Sequence, residues 1–256
     1  MKFKKTMTSM LAVALSISVC IPQVYAVKFS DLRGYEWAEQ YVNDVADKGI
    51  VSGYIDGTYK PSSPVTRIET LVMIANLHPK SDIDAIYKSN SAKYKDRLAR
   101  YNIDEWARPY IVFALEKGII PNSDKMLKSL INLETKNHVN ALRYEASVFL
   151  VRSLGLENEM NSNAKLSYKD NKDILSQAVP YIELLQRKGI ISKDGDGSGN
   201  FNPNKTITRA EIAIMLSKSY KYSAKAKGSS KPMPPTIKQE NIRGKINLLT
   251  FDGAKL

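Results

Sequence analysis

The sequence predicts an all-α body in which three helix-loop-helix repeats share one core. Two recurring features carry that expectation, a Thr-Arg-x-Glu tetrad leading into an apolar helix and a fourteen-residue amphipathic block closed by Lys-Gly-Ile. Both recur in the same order along the chain, as a repeat architecture requires. A single unit has two helices with one apolar face each and cannot bury a core, whereas three units can.

Residues 1–26 stand apart from the repeats. Lys2, Lys4 and Lys5 precede the apolar stretch "MLAVALSISVCI", and Val24-Tyr25-Ala26 reads as a signal-peptidase site, so export is expected. A lipoprotein signal at Cys20 is the rival reading, weakened by Val19. The apolar stretch is too short for a membrane span of roughly 20 residues. Cleavage after Ala26 removes the single cysteine, which excludes disulfide and thiol chemistry. It also removes three lysines and lowers the formal charge from +12 to +9, an excess that favours polyanionic partners. The lysines are scattered, so nucleic acid is the weaker choice beside an anionic wall polymer.

Each unit opens on an aromatic-x-Asp triplet: "FSD" with Asp31, "YKD" with Asp96, and "YKD" with Asp170. These carboxylates precede a helix by several residues and are expected to fix its lead-in turn by side-chain to backbone bonds. The blocks "WAEQYVNDVADKGI", "WARPYIVFALEKGI" and "QAVPYIELLQRKGI" then align without a gap. In the first, Trp37, Ala38, Tyr41, Val42 and Val45 form one helical stripe. Trp37 and Trp106 repeat in phase with that stripe, so core packing is expected of them first and a sugar-stacking place at a groove rim second. Gly49, Gly118 and Gly189 suit the left-handed position after a helix, and the isoleucine beyond each packs back.

Turn-rich loops follow the first and third blocks, "VSGYIDGTYKPSSPVT" and "ISKDGDGSGNFNPNKTIT". Gly53 stands where a missing Cβ lets backbone approach a ligand or makes a turn, with Tyr54 beside it. In the second unit, "PNSDKMLKSLINLETKNHVNA" replaces the loop and is helical in pattern. The third loop offers Asp194, Asp196 and Ser198 in the spacing of a calcium-binding loop, but its twelfth position is Lys205 where a bidentate Glu is needed, so no metal site is assigned.

The tetrads close each unit. Thr66 with Glu69, and Thr208 with Glu211, have the spacing of a capping box, while the second unit has Leu142 in the threonine's place. Arg67, Arg143 and Arg209 fall in the first helical turn, where the helix field disfavours a cation by roughly a few tenths of a kcal/mol to 1 kcal/mol. A carboxylate ligand meeting the guanidinium fork and the free helix amides together would account for them. After residue 222, "SAKAKGSSKPMPPT" reads as an extended linker over 223–236, and residues 237–256 as an unpaired strand-like tail or the start of a further domain.

These residues resemble the S-layer homology (SLH) domain family over about three consecutive motifs, at 27–80, 92–156 and 166–222. The likeness rests on "FSD", "WAEQYV", "KGIVSGYIDGTYKP" and "VTRIE" in the first motif and "KGI", "GNFNP" and "ITRAE" in the third. It implies a pseudo-threefold, three-pronged spindle. It also implies non-covalent anchoring on the cell surface through a secondary cell-wall polysaccharide bearing pyruvate ketals. By position, the implied polysaccharide-binding residues are Arg67, Arg143, Arg209, Gly53, Tyr54, Trp37 and Trp106, in grooves between motifs. Leu142 and the Gln177 that fills the Trp slot predict unequal grooves. The isolated module is expected to be a monomer without a cofactor. Nothing nominates catalytic residues: His78 and His138 stand singly and no serine has a Gly-x-Ser-x-Gly frame. A cell-wall glycan hydrolase and a self-assembling surface-array protein are the alternative functions.

Overall fold

The computed structural model describes residues 29–228, so the signal peptide expected over 1–26 and the strand-like tail expected over 237–256 lie outside the described residues. Eight α-helices are found among them: α1 (Glu36–Asp47), α2 (Arg67–Ala75), α3 (Lys80–Arg100), α4 (Arg108–Glu116), α5 (Asp124–Lys128), α6 (Arg143–Leu154), α7 (Val179–Arg187) and α8 (Arg209–Ser219). The rest is short 3-10 turns and loops, with isolated bridges in place of a sheet. The all-α expectation holds.

The stop signals act as local chemistry requires. Gly49, Gly118 and Gly189 all have positive φ (61°, 68° and 70°), a conformation that a Cβ would strain. Each is followed by an amide reaching back into the helix, Ile50 to Val45, Ile119 to Ala114 and Ile190 to Leu185, at 2.9 Å in each case. The three isoleucines are buried. Each turn thus satisfies carbonyls that the helix end leaves open.

Packing runs between units and closes on itself. The first helix of unit one, α1, packs on α8 of unit three; α4 of unit two packs on α2 of unit one; α7 of unit three packs on α6 of unit two. The backbone just before α2, α6 and α8 follows the same cycle. Val65 N–H donates to Ile207 O (3.0 Å), Ile207 N–H to Ala141 O (3.0 Å), and Ala141 N–H to Val65 O (2.8 Å). Two residues on, Arg67, Arg143 and Arg209 donate their amides to Val139, Lys205 and Ser63 carbonyls at 2.8–3.0 Å. The three helix starts meet in a buried knot in which these backbone groups are paired without a sheet.

Three expectations change. The "YKD" of residues 94–96 opens no loop: it lies inside α3, a 21-residue helix uninterrupted by Gly or Pro. Ile83, Tyr94 and Leu98 bury the inner face of α3, and Tyr94 Oη donates to Glu116 Oε1 (2.6 Å), tying α3 to α4. Of the helical pattern expected for the second unit's loop, only the five residues of α5 are helical, capped by the Ser123 hydroxyl. Residues 223–228 are not extended: Lys225 donates its amide to Leu77 O (3.0 Å) and its ammonium to Lys48 O (2.8 Å), and Ser223 is buried.

Candidate functional site

The caps on either side of the arginines form as the spacing predicts. Thr66 Oγ1 accepts from the Glu69 amide while Glu69 Oε2 accepts from the Thr66 amide; Thr208 and Glu211 repeat both bonds. Leu142 has no side-chain oxygen, so only Glu145 contributes, taking the Leu142 amide on Oε2 at 2.9 Å. The helix-start amides do not remain free for a ligand. At α8, Arg209 donates to Ser63 O, Ala210 to Pro61 O and Glu211 to the Thr208 hydroxyl. Any ligand at this place meets side chains alone.

The three tetrad arginines have three different environments. Arg67 is turned inward: Nε and Nη2 grip Glu145 at 2.9 and 2.5 Å and Nη1 donates to Ser129 O at 2.6 Å, with the Glu145 side chain fully buried. With no hydroxyl at Leu142 to hold, Glu145 Oε2 takes the Leu142 amide and Arg67 Nε while Oε1 takes Nη2, so both oxygens meet the fork. Arg143 pairs with Glu211 Oε1 at 3.1 Å and lies over the Phe201 ring at 5.4 Å, leaving its buried Nε without a partner.

Arg209 meets no carboxylate among the described residues. Its Nε donates to Tyr59 O (2.7 Å) and Nη2 to Ser52 O (2.8 Å), and its guanidinium carbon lies 4.5 Å from the Tyr59 ring centroid and 5.1 Å from that of Tyr54. The Tyr59 hydroxyl donates back to Arg209 O at 3.0 Å, and burial pushes its pKa up to about 12 against the opposing pull of Arg209. Neutral carbonyls and rings hold the arginine in place and leave its charge uncancelled.

The first unit's loop is shaped to meet this arginine. Asp31 accepts the Tyr59 and Lys60 amides at 2.8 and 2.7 Å, and Asp170 accepts those of Phe201 and Asn202 at the same distances. Both aspartates therefore fasten the turn that follows the aromatic residue some thirty positions downstream, not the lead-in turn expected of them. Asp96, exposed near the C-terminal end of α3, has no such role among the described residues. Gly53 answers to packing inside the protein, because a Cβ there would lie 2.3 Å from the Phe29 ring and 2.7 Å from Thr58 O.

The site thus gathers Arg209 and Tyr54, which sequence reasoning named, and Lys60, which it missed. Lys60 Nζ lies 4.0 Å from the centroid of the half-exposed Tyr54 ring, so two cations lie against one aromatic ring. The missed signal was the position itself, since Lys60 follows the aromatic of "TYKP" and takes a positive φ of 58°, as Asn202 does after Phe201 in the third unit with 57°. Trp37 and Trp106 overturn the core-packing expectation, being 54% and 52% exposed. Trp37 leans toward Tyr35 (6.1 Å between ring centroids) and Trp106 toward His138 (6.4 Å). Among the described residues neither indole stacks on a tetrad arginine.

A family model of the S-layer homology domain matches residues 28–71 and 167–213, which are the first and third units. The S-layer protein EA1 of Bacillus anthracis is 25% identical over 175 residues, 67% of this chain and 18% of the relative. An endoglucanase of Bacillus sp. (strain KSM-635) is 24% identical over 184 residues, 68% of this chain and 18% of the relative. An S-layer protein of Bacillus licheniformis is 27% identical over 127 residues, 48% of this chain and 13% of the relative. The chain therefore spans less than a fifth of the length of these relatives. Together with the two capping boxes and the glycine stops, these two matched segments and the S-layer relatives support an S-layer homology domain protein.

Proposed function

We propose that the chain is a non-covalent cell-surface anchoring module whose three SLH motifs, in pseudo-threefold arrangement, hold an anionic, pyruvylated cell-wall polysaccharide. The family and its S-layer relatives support a cell-wall-associated anchor. The observation that carries the finer reading is Arg209, a buried arginine with no carboxylate among the described residues, beside Lys60 and an exposed tyrosine. A pyruvate ketal presents a carboxylate on a sugar ring. Its charge complements the two cations and the ring stacks on Tyr54. Arg67 leaves the binding set on this reading because Glu145 already occupies its fork, and Arg143 is half-neutralised by Glu211.

Calorimetry with purified wall polymer, before and after removal of its pyruvate ketals, tests the proposal. Binding should weaken at least tenfold without the ketals and decline with added salt. Equal binding in both preparations would dismiss the charge-based mechanism. The relative named endoglucanase makes a hydrolytic reading worth one control, since release of reducing ends from the polymer would replace the anchor with an enzyme.

A further inference from the structure

A second cationic basin lies at the other end of α8. The C-terminal ends of α1, α7 and α8 converge there around an open cavity of about 400 Å³, lined by Asp44, Lys48, Lys188, Ser217, Lys218 and Lys221. Lys225 reaches its rim through the Lys48 carbonyl. Two of these lysines are engaged: Lys48 pairs with Asp44, whose other oxygen accepts from the Ser217 hydroxyl at 2.6 Å, and Lys188 pairs with Glu159 at 2.7 Å.

Lys218 and Lys221 are not. Among the described residues neither has a carboxylate partner; their ammonium groups lie only against tyrosine rings, Lys218 5.5 Å from the Tyr41 centroid and Lys221 5.0 Å from Tyr222. The bland explanation, that lysines offset the negative ends of helices, accounts for part of the charge. Each helix end counts for about half a charge, so three ends and two carboxylates against five ammoniums leave a surplus of roughly one to two positive charges. That surplus sits in a concave place of ligand size.

We propose that this basin is a second anion-binding site, which takes a phosphate group carried on a sugar or polyol. Lysine ammoniums converge on it as mobile point charges with no guanidinium fork among them, an arrangement that suits the spread charge of phosphate better than a planar carboxylate. The Tyr220 ring, which lines the cavity with the Lys48 ammonium 5.0 Å from its centroid, provides an apolar wall for the carrier. Nine residues of α8 separate Lys218 from Arg209, about 13 Å along the helix axis, so the basin is a site of its own and does not depend on the reading of Arg209.

Titration of the chain with glycerol phosphate, followed by amide NMR shifts, tests it. Saturable shifts are expected at residues 48–49 and 217–221. Affinity should fall at least tenfold in the Lys218→Gln/Lys221→Gln double variant, survive in Lys218→Arg/Lys221→Arg, and stay within twofold of the parent in Arg209→Gln. Inorganic phosphate in a parallel titration tells whether the basin reads the phosphate alone, binding equally, or its carrier as well, binding more weakly. Shifts that chloride reproduces at matched ionic strength, or undiminished binding by the Gln double variant, would overturn the proposal.

Discussion

Where α2 meets α6, Arg67 lies in the grip of a fully buried Glu145, and one helical length away His78 Nε2 meets the Ser153 carbonyl and hydroxyl at 3.1 and 3.0 Å. Where α1 meets α8, the equivalent arginine touches only carbonyls and tyrosine rings under an exposed loop. Both junctions are built from the same tetrad and the same backbone cycle. What differs is how the capping carboxylate is shared: Glu145 gives both oxygens to Arg67, Glu211 caps Thr208 through Oε2 and gives Oε1 to Arg143, and Glu69 holds the amide and the hydroxyl of Thr66 with no arginine paired to it among the described residues. A repeat can thus keep its scaffold and backbone cycle while giving the arginine of each copy a different partner.

The largest expected effect tests the closed junction. Arg67→Ala leaves a buried carboxylate unpaired, which costs about 3–5 kcal/mol of folding stability. Urea denaturation should show it, and the double variant Arg67→Met/Glu145→Leu should recover most of the loss, because removing both charges together leaves neither one stranded. An Arg67→Ala variant with unchanged midpoint would erase the distinction between the two junctions.

The second test reads the far end of the same junction. Burial pushes the His78 imidazole down to about 4. An unfolded histidine protonates near 6.5, so between these values the unfolded chain takes up a proton that the native state refuses. Stability attributable to His78 is therefore intact above about pH 6.5, declines as the pH falls toward 4, and levels off below; the full loss is on the order of 3 kcal/mol. The difference in unfolding midpoint between the parent and His78→Gln should change across that window and be flat above it. A constant difference would mean that the ring takes up its proton in the fold as readily as in the unfolded chain.

Arg209→Ala comes next, and here stability and binding should separate. Losing the bond to the buried Tyr59 carbonyl costs about 1–2 kcal/mol, while the exposed Ser52 carbonyl turns to water. The sequence alone, which places the arginine at a helix end, predicts almost no loss of stability; its burial is the reason to expect some. Affinity for ketal-bearing polymer should fall at least tenfold, and Arg209→Lys, which keeps the charge without the fork, should recover only part of it. A stability loss as large as that of Arg67→Ala, with binding intact, would make the open junction structural as well.

Local signals were legible in the sequence wherever a few consecutive residues decide the outcome. The Lys-Gly-Ile stops and the two Thr/Glu boxes needed no tertiary information. Long-range partners were not legible. Nothing near Asp31 says that its carboxylate will hold the amides of Tyr59 and Lys60, and nothing near Arg67 announces Glu145, since both depend on how units are brought together. Trp37 was misjudged because a helical stripe has an edge: Ala38, Val42 and Val45 occupy its centre, and the indole beside them falls on the solvent side. The helix α3 was overlooked because an aromatic-x-Asp triplet inside it imitates the opening of the other two units, although Ile83, Tyr87, Tyr94 and Leu98 keep helical spacing.

The smallest expected effects refine the open junction. Lys60 and Tyr54 touch each other at the surface, where a cation over an aromatic face is worth about 0.5–1 kcal/mol. Lys60→Ala removes one of the two charges facing the ligand, and Tyr54→Ala removes the ring against which both lie; each should weaken polymer binding roughly two- to fivefold with the melting temperature unchanged. The two losses should respond differently to salt. A charge lost at Lys60 should flatten the salt dependence of binding, since fewer ion contacts remain to be screened, while a ring lost at Tyr54 should leave that slope as it was. If both variants flatten it alike, the tyrosine acts by placing the cations and not by stacking on the sugar, and the ligand touches only Arg209 and Lys60.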